Sequence, residues 1–247
     1  GSESGSTSTA TVTGPGSKWT NSSYMSVGNY GNGTLSIEAG GVVSNTYGYI
    51  GDRSGSWGAV TVTGTGSTWL NSGDLHVGQS VGTPPPLASG TLTIVDSGVV
   101  QVAGMAQVHS NGEVRIDGGT MSVVETLQLD AGSTVSLNSG TLSLIGFSGD
   151  GNLAWNGGTL ELTGPAGLTV GSSGLLGTLL TIDADQRLNV TNTTTIQAAA
   201  AMTAVGGFSS DRLTIDPGGT LNASGPVAAK ISGLTTSSIV ATGTLSV

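Results

Sequence analysis

The chain has no cysteine, which excludes disulfides, thiolate metal sites and a cysteine nucleophile. It has little charge of either sign. Lys and Arg number 6 and Asp and Glu 15 in 247 residues, so charged residues make up 9%, against about 25% in an average soluble chain. The net charge of −9 repels a polyanion, which argues against nucleic acid as a partner. Aromatic residues are scarce, at 4%. No apolar run approaches the roughly 18 residues a helix needs to cross a membrane. The most apolar stretch, Ile196 to Val205, is mostly alanine and about half that length. Membrane insertion by this segment is therefore not expected. No basic-then-apolar leader opens the sequence, Gly1-Ser2 reads as an expression scar, and the pattern is still running at "GTLSV". Targeting and anchoring segments are expected outside it.

What is abundant is glycine, 43 residues, together with Ser and Thr and regularly spaced Val, Leu and Ile. Hydrophobic residues at 36% are enough to build a core. Many turns between short alternating runs predict an all-β chain.

The sequence repeats. "TVTGPGSKWTNSSYMSVG" at Thr11 to Gly28 returns as "TVTGTGSTWLNSGDLHVG" at Thr61 to Gly78. "GTLSIEAGGVV" at Gly33 returns as "GTLTIVDSGVV" at Gly90, after a seven-residue insertion. The insertion falls in Gln79 to Ser89, where Pro84 to Pro86 forbid a central strand and predict a protruding loop. A shorter formula, Thr-aliphatic-polar and usually a second aliphatic, recurs at Thr34, Thr91, Thr120, Thr134, Thr141, Thr159, Thr220 and Thr244. It reads as a strand with one face inward. At about 20 residues per rung this predicts a parallel β-helix of about 12 rungs, the fifty-residue unit being two of them. Glycine is expected to supply the positive φ of the corners. Residues 1–9 are expected to be scar and flexible N-terminus, 10–108 the two repeats, and 109–247 the same solenoid with less regular rungs.

The pair "TVTGxGSxWxNSxxxxVG…GTLxIxxGGVV", from about Ala10 to Val108, resembles the repeat of type V secretion autotransporter passengers and of PEP-CTERM exported proteins. The resemblance implies a right-handed, single-stranded parallel β-helix at the surface of a Gram-negative bacterium or secreted from it. It implies adhesion or display, and it brings no catalytic residues to transfer.

Candidate chemistry is thin. His76 replaces Ser26 on an outward phase and, like His109, has no second His near it in sequence, so it is expected to be a plain surface residue and not a metal ligand. Asp183 and Asp185, at i, i+2 beside Arg187, are the best carboxylate pair for a polysaccharide lyase or hydrolase, with Asp211, Arg212 and Asp216 further on. The bland reading of all of them is surface charge. "SGDGN" at Ser148 has oxygen donors for a cation but reads as a plain turn. The outward Thr rows could mimic an ice-binding array, interrupted at Glu161 and Asn222. The sequons at Asn21, Asn32, Asn189, Asn192 and Asn222 are explained by composition.

Trp19 and Trp69 share one repeat position, which favours a structural brace over a sugar platform. Trp57, Tyr47 and Tyr49 do not recur and, with Trp155 and the Pro84 loop, are freer to contact a partner. The sequence thus predicts no catalytic, cofactor or metal residues and no cofactor. Its partners would be a host or matrix glycan or protein, or a copy of itself on another cell. The rival reading is a polysaccharide-binding or polysaccharide-degrading β-helix.

Overall fold

The computed structural model describes residues 1–79, 87–172, 174, 176–232 and 238–246. Every regular element among them is a β-strand. The strands pair in parallel and coil into a β-solenoid of about 10 turns. Pro84 to Pro86 lie outside the described residues. The chain divides into two compact units, residues 1–142 with 147–156, and 143–146 with 157–247.

In the first unit each turn carries three short strands, giving three walls. The first wall stacks Thr7–Thr13, Asn32–Glu38, Trp57–Thr63, Ser89–Val95 and the start of Gly112–Leu129. The second stacks Lys18–Thr20, Val42–Asn45, Thr68–Asn71, Val99–Val102 and residues 120–123. The third stacks Tyr24–Val27, Tyr47–Ile50, Leu75–Val77, Ala106–Val108 and residues 127–129. Thr7 pairs with Asn32 and Asn32 with Trp57, so two equal turns carry the chain from Thr7 to Trp57. The fifty-residue repeat is therefore two turns, as expected. Trp57 pairs with Ser89, which makes the next turn one of the same kind lengthened by the seven-residue insertion. Later turns are shorter: Gly90 pairs with Gly112, and Thr134 with Asn152. There are fewer turns than expected because those of the regular repeats are longer than the short Gly-Thr-Leu spacing suggests. The first strand begins at Thr7, inside the segment expected to be flexible.

Period-two alternation decides which side chains enter the core. The column Val12, Ile37, Val62, Ile94, Ile116 is buried turn after turn, and so is Leu35, Val60, Leu92, Val114. Each such side chain contributes about 1.5–3 kcal/mol on leaving water. The Thr residues face outward, but the row runs Thr9, Thr34, Ala59, Thr91, Glu113, too broken for a regular threonine array.

The recurring Trp is an inward residue of the second wall, in the column Trp19, Val43, Trp69, Val100, Met121. The two indoles lie two turns apart, with Val43 between them, in mid-strand and not stacked at a corner. Trp69 is 0% exposed; Trp19, in the first turn, is 40% exposed. The Trp69 Nε1–H donates to Asn45 Oδ1 (2.7 Å), and Asn45 Nδ2 donates to Asn71 Oδ1 (2.6 Å). This buried asparagine ladder ends where Val102 takes the next position, and among the described residues the buried Nδ2 of Asn71 has no partner.

The second unit repeats the plan. Gly158–Leu162 stacks on residues 186–190, then on 207–210 and Val227. Leu168–Val170 stacks on 194–196, then on 213–215. Leu179–Ile182, Ala201–Ala204, Thr220–Ala223 and Ser238–Ala241 form its third wall. Leu160, Leu188 and Phe208 fill one side of its core and Val170, Ile196 and Ile215 another.

Candidate functional site

The outward row of the first unit's third wall reads Ser26, Tyr49, His76, Gln107, Gln128, one residue per turn. Val27, Ile50, Val77, Val108 and Leu129 point inward beside it and fix it in place. Just past the strand, the first three turns carry Gly28, Gly51 and Gly78, and the fourth carries His109. The His109 imidazole lies against His76, with His76 Nδ1 and His109 Nε2 at 3.2 Å. His109 Nδ1 donates to Asp130 Oδ2 at 2.9 Å. A carboxylate only accepts, so His109 carries its proton on Nδ1, and His76 Nδ1–H donates to the free Nε2 of His109. Gln107 and Gln128 also donate to Asp130, at 3.1 and 3.2 Å.

The rings continue the line in the other direction. Tyr49 stacks on His76 with centroids 5.3 Å apart and planes 6° from parallel, and Tyr24 meets Tyr49 edge-on at 6.3 Å. Tyr24, Tyr49, His76, His109 and Asp130 thus form a diagonal across five successive turns. Plain surface histidines do not describe it: both rings are half-buried and in contact. The signal was hidden because the two partners are distant in sequence and meet only when the chain coils.

Burial, and for His76 the neighbouring His109, hold both imidazoles below their usual range, against the pull of Asp74 and Asp130. Burial works to raise Asp130, but the donors Gln107, Gln128 and His109 together bring its carboxyl below the usual value. Burial, with Asp52 and Asp74, raises the Tyr49 hydroxyl. Burial also raises Asp52, opposed by Arg53 and Ser26. The pair of neutral imidazoles is a proton-sensitive contact, and among the described residues no group of three ligating side chains is placed to hold a metal ion.

A depressed imidazole fixes the sign of a pH effect. The unfolded chain takes up protons first, so the cluster's stability is complete above the ordinary value of 6.5 and declines as pH falls below it. The wild-type melting temperature is expected to fall between pH 7.5 and 5.5, and to fall less in a His76→Gln/His109→Gln variant. Asp52 acts in the opposite sense but is common to both proteins, so the difference between their slopes isolates the histidines. Parallel slopes would overturn the assignment.

The faces of Tyr49 and His76 are spent on each other, so they offer edges to a partner. Tyr24, Tyr30, Tyr47 and Trp57 around them are exposed. Arg53 lies over the Tyr30 ring at 5.7 Å. Tyr24, Tyr49, Asp52 and Arg53 also border a shallow groove of about 340 Å³. Trp155 is half-buried on the strand Asn152–Trp155.

The carboxylates do not converge. Asp183 and Asp185 are exposed in a turn between Leu179–Ile182 and Gln186–Ile196, not on one strand face. That turn is closed by the Asp183 N–H donating to Gln186 Oε1 (2.6 Å) and the Gln186 N–H to Asp183 O (2.9 Å). Asp211 lies in a corner bulge and Asp216 in a later turn. In "SGDGN" Ser148 and Gly149 end one strand and Asn152 begins the next, so only Gly151 and the exposed Asp150 form the bend, and Gly151 N–H donates to Leu129 O at 3.0 Å.

No family model, no curated protein and no solved structure matches this chain.

Proposed function

We propose that this chain is a surface-exposed or secreted bacterial passenger segment that serves as an adhesion and display scaffold, without catalysis of its own. One observation carries the reading. Of the ten aromatic residues in the chain, five are exposed, and all five lie between Trp19 and Trp57. Trp19 belongs to the inward Trp column, but Tyr24, Tyr47 and Trp57 stand on the outward phase of their strands and Tyr30 lies beyond the strand Tyr24–Val27, so the exposure of these four is not a by-product of packing. Exposed aromatic side chains supply large contact area at low entropic cost, on sugars and on proteins alike. Parallel backbone ladders hold them at fixed spacing along successive turns, which converts weak single contacts into a repeated one.

The test is adhesion of the immobilised chain to a glycan array and to bacterial cells. A Tyr47→Ala/Trp57→Ala variant is expected to lose binding by about tenfold or more, with its melting temperature unchanged, while Arg115→Ala binds like the wild type. Release of reducing sugar or of unsaturated uronate from a bound glycan would make the chain an enzyme and overturn the reading.

A further inference from the structure

The second unit holds three of the chain's six basic residues, Arg187, Arg212 and Lys230. Among the described residues none of the three has a carboxylate within ion-pair distance, whereas Arg53 and Arg115 each have an aspartate, at 3.8 and 3.0 Å. Lys18 of the first unit has none either, so among the described residues four of the six basic side chains stand without an ion pair in a chain of net charge −9. Arg212 and Lys230 are moreover direct register partners on adjacent parallel strands. Neighbouring strands lie about 4.8 Å apart, and like charges directly opposite destabilise a sheet. Among the described residues no acidic side chain makes an ion pair with either of them, and Asp211, next to Arg212, is the one carboxylate that lines the same groove.

The pair stands at a corner that tightens from turn to turn. Two residues, Thr191 and Asn192, bulge out between Val190 and Thr193; one, Asp211, between Ser210 and Arg212; and none between Ala229 and Lys230. Asn192 takes a φ of 118°, uncommon for a residue with a side chain, and its Nδ2 is tied to Gly164 O at 3.1 Å. The steps enclose an open groove of about 820 Å³ between Asn189 and Ser209 on one side and Arg212 and Lys230 on the other. Asp211 is its single carboxylate. Ser209 Oγ donates to Asn189 Oδ1 (2.8 Å), which leaves the Asn189 amide N–H groups as donors toward the groove. A smaller recess of about 180 Å³ shares Asn189 and Ser209 and adds Arg187.

From this arrangement we infer that the groove binds an acidic oligosaccharide, one carboxylate or sulfate group being held jointly by Arg212 and Lys230 while Asn189 and Ser209 meet neighbouring hydroxyls. The groove's lining has no aromatic ring for a nucleobase to stack on, and its only aliphatic side chains are Val190, Ala228 and Ala229, too small a surface to bury a lipid chain. The net charge of −9 selects against long polyanions and leaves short ligands with one or two acid groups. This surface is separate from the exposed aromatic residues of the first unit, and its occupancy does not depend on them.

Isothermal titration of the whole chain with trigalacturonate, with neocarrabiose 4-sulfate, which has a sulfate and no carboxylate, and with neutral maltotriose tests it. Either acidic ligand is expected to bind and maltotriose not to, the two acidic arms telling carboxylate from sulfate. Arg212→Ala or Lys230→Ala is expected to weaken binding by at least about tenfold, as loss of a charge-assisted hydrogen bond does, and the double variant to abolish it. Arg115→Ala and Tyr47→Ala/Trp57→Ala are expected to bind the acidic ligand unchanged. Because the double variant also removes a like-charge contact, its melting temperature is expected to stay level or rise. Failure of the wild type to bind either acidic ligand, equal affinity for maltotriose, tighter binding of a single-stranded oligonucleotide than of either sugar acid, or a lowered melting temperature of the double variant each overturns the proposal.

Discussion

Trp69→Ala is expected to lower the unfolding free energy by about 3–5 kcal/mol, and Trp19→Ala, at the same place in the repeat, by about 1 kcal/mol. The two residues differ only in their turn. Trp69 has turns on both sides, is fully buried and donates its Nε1–H to Asn45 Oδ1. Truncation opens a cavity between Val43 and Val100 and leaves a buried amide oxygen without its donor, two costs that add. The site was fitted around the indole: a Cβ on Gly48 would stand 3.0 Å from Trp69 Cζ2 and collide with Asn71 Oδ1. Trp19 is 40% exposed, on a strand paired on one side only among the described residues, so less is lost. Solenoids unfold by neighbouring turns and not always in one step. The comparison is therefore best made by guanidinium unfolding together with amide exchange of Trp69, Leu70 and Asn71, whose protection is expected to collapse in Trp69→Ala alone. Equal costs for the two variants would mean that the indole is not a core residue.

The alternation of Leu35 and Ile37 with Thr34 and Ser36 was enough to assign strands, inward faces and a coil of parallel turns, because a period of two survives in any single strand. The length of a turn was less legible. The clearest sequence match, at an offset of fifty, links Trp19 to Trp69 and passes over the turn between them, where Val43 stands in the Trp column. The shorter Gly-Thr-Leu formula predicts two turns in that unit, but only structural register places Val43 in the Trp column. The same limit hid the site. His76 and His109 lie on adjacent turns, one of them lengthened by the insertion, so no fixed offset pairs them. The Asn-Ser of the repeat was legible as a repeat but not as a ladder, since its middle member Asn45 stands in "VSNT", outside the matched motif. Asp183 and Asp185 show the converse: an i, i+2 pair implies a shared face only within a strand, and Gln186 closes a turn there instead.

The glycines that open the strands of the first wall have a role besides the positive φ that Gly140 and Gly158 supply before Thr-Leu elsewhere in the chain, and Gly90→Ala measures it. Gly33, Gly58, Gly90 and Gly112 are register partners, a glycine column running up the start of the first wall. None of the four has positive φ. What requires glycine is proximity. A Cβ on Gly90 would run into the carbonyl oxygen of Ile50 and the backbone nitrogen of Gly78, and one on Gly58 into Val27 O and Gly51 N. Those are atoms of the third wall's exit, so the column is where two walls meet backbone to backbone, and neither side can retreat without breaking ladder hydrogen bonds such as Gly78 N–H to Ile50 O (2.7 Å). Overpacking against rigid backbone reaches the upper end of its usual range, and Gly90→Ala is expected to cost about 3 kcal/mol or more. Gly16 is the contrast: φ is 85°, but no atom lies within 4 Å of an added Cβ. Gly16→Ala meets dihedral strain alone, about 1 kcal/mol. If unfolding midpoints put Gly16→Ala at or above Gly90→Ala, the glycines would serve the corners by conformation, as the sequence suggests. If Gly90→Ala costs the more, the glycine column marks the line along which successive turns close on one another, and a bulky residue there displaces the third-wall strand that carries Tyr49 and His76.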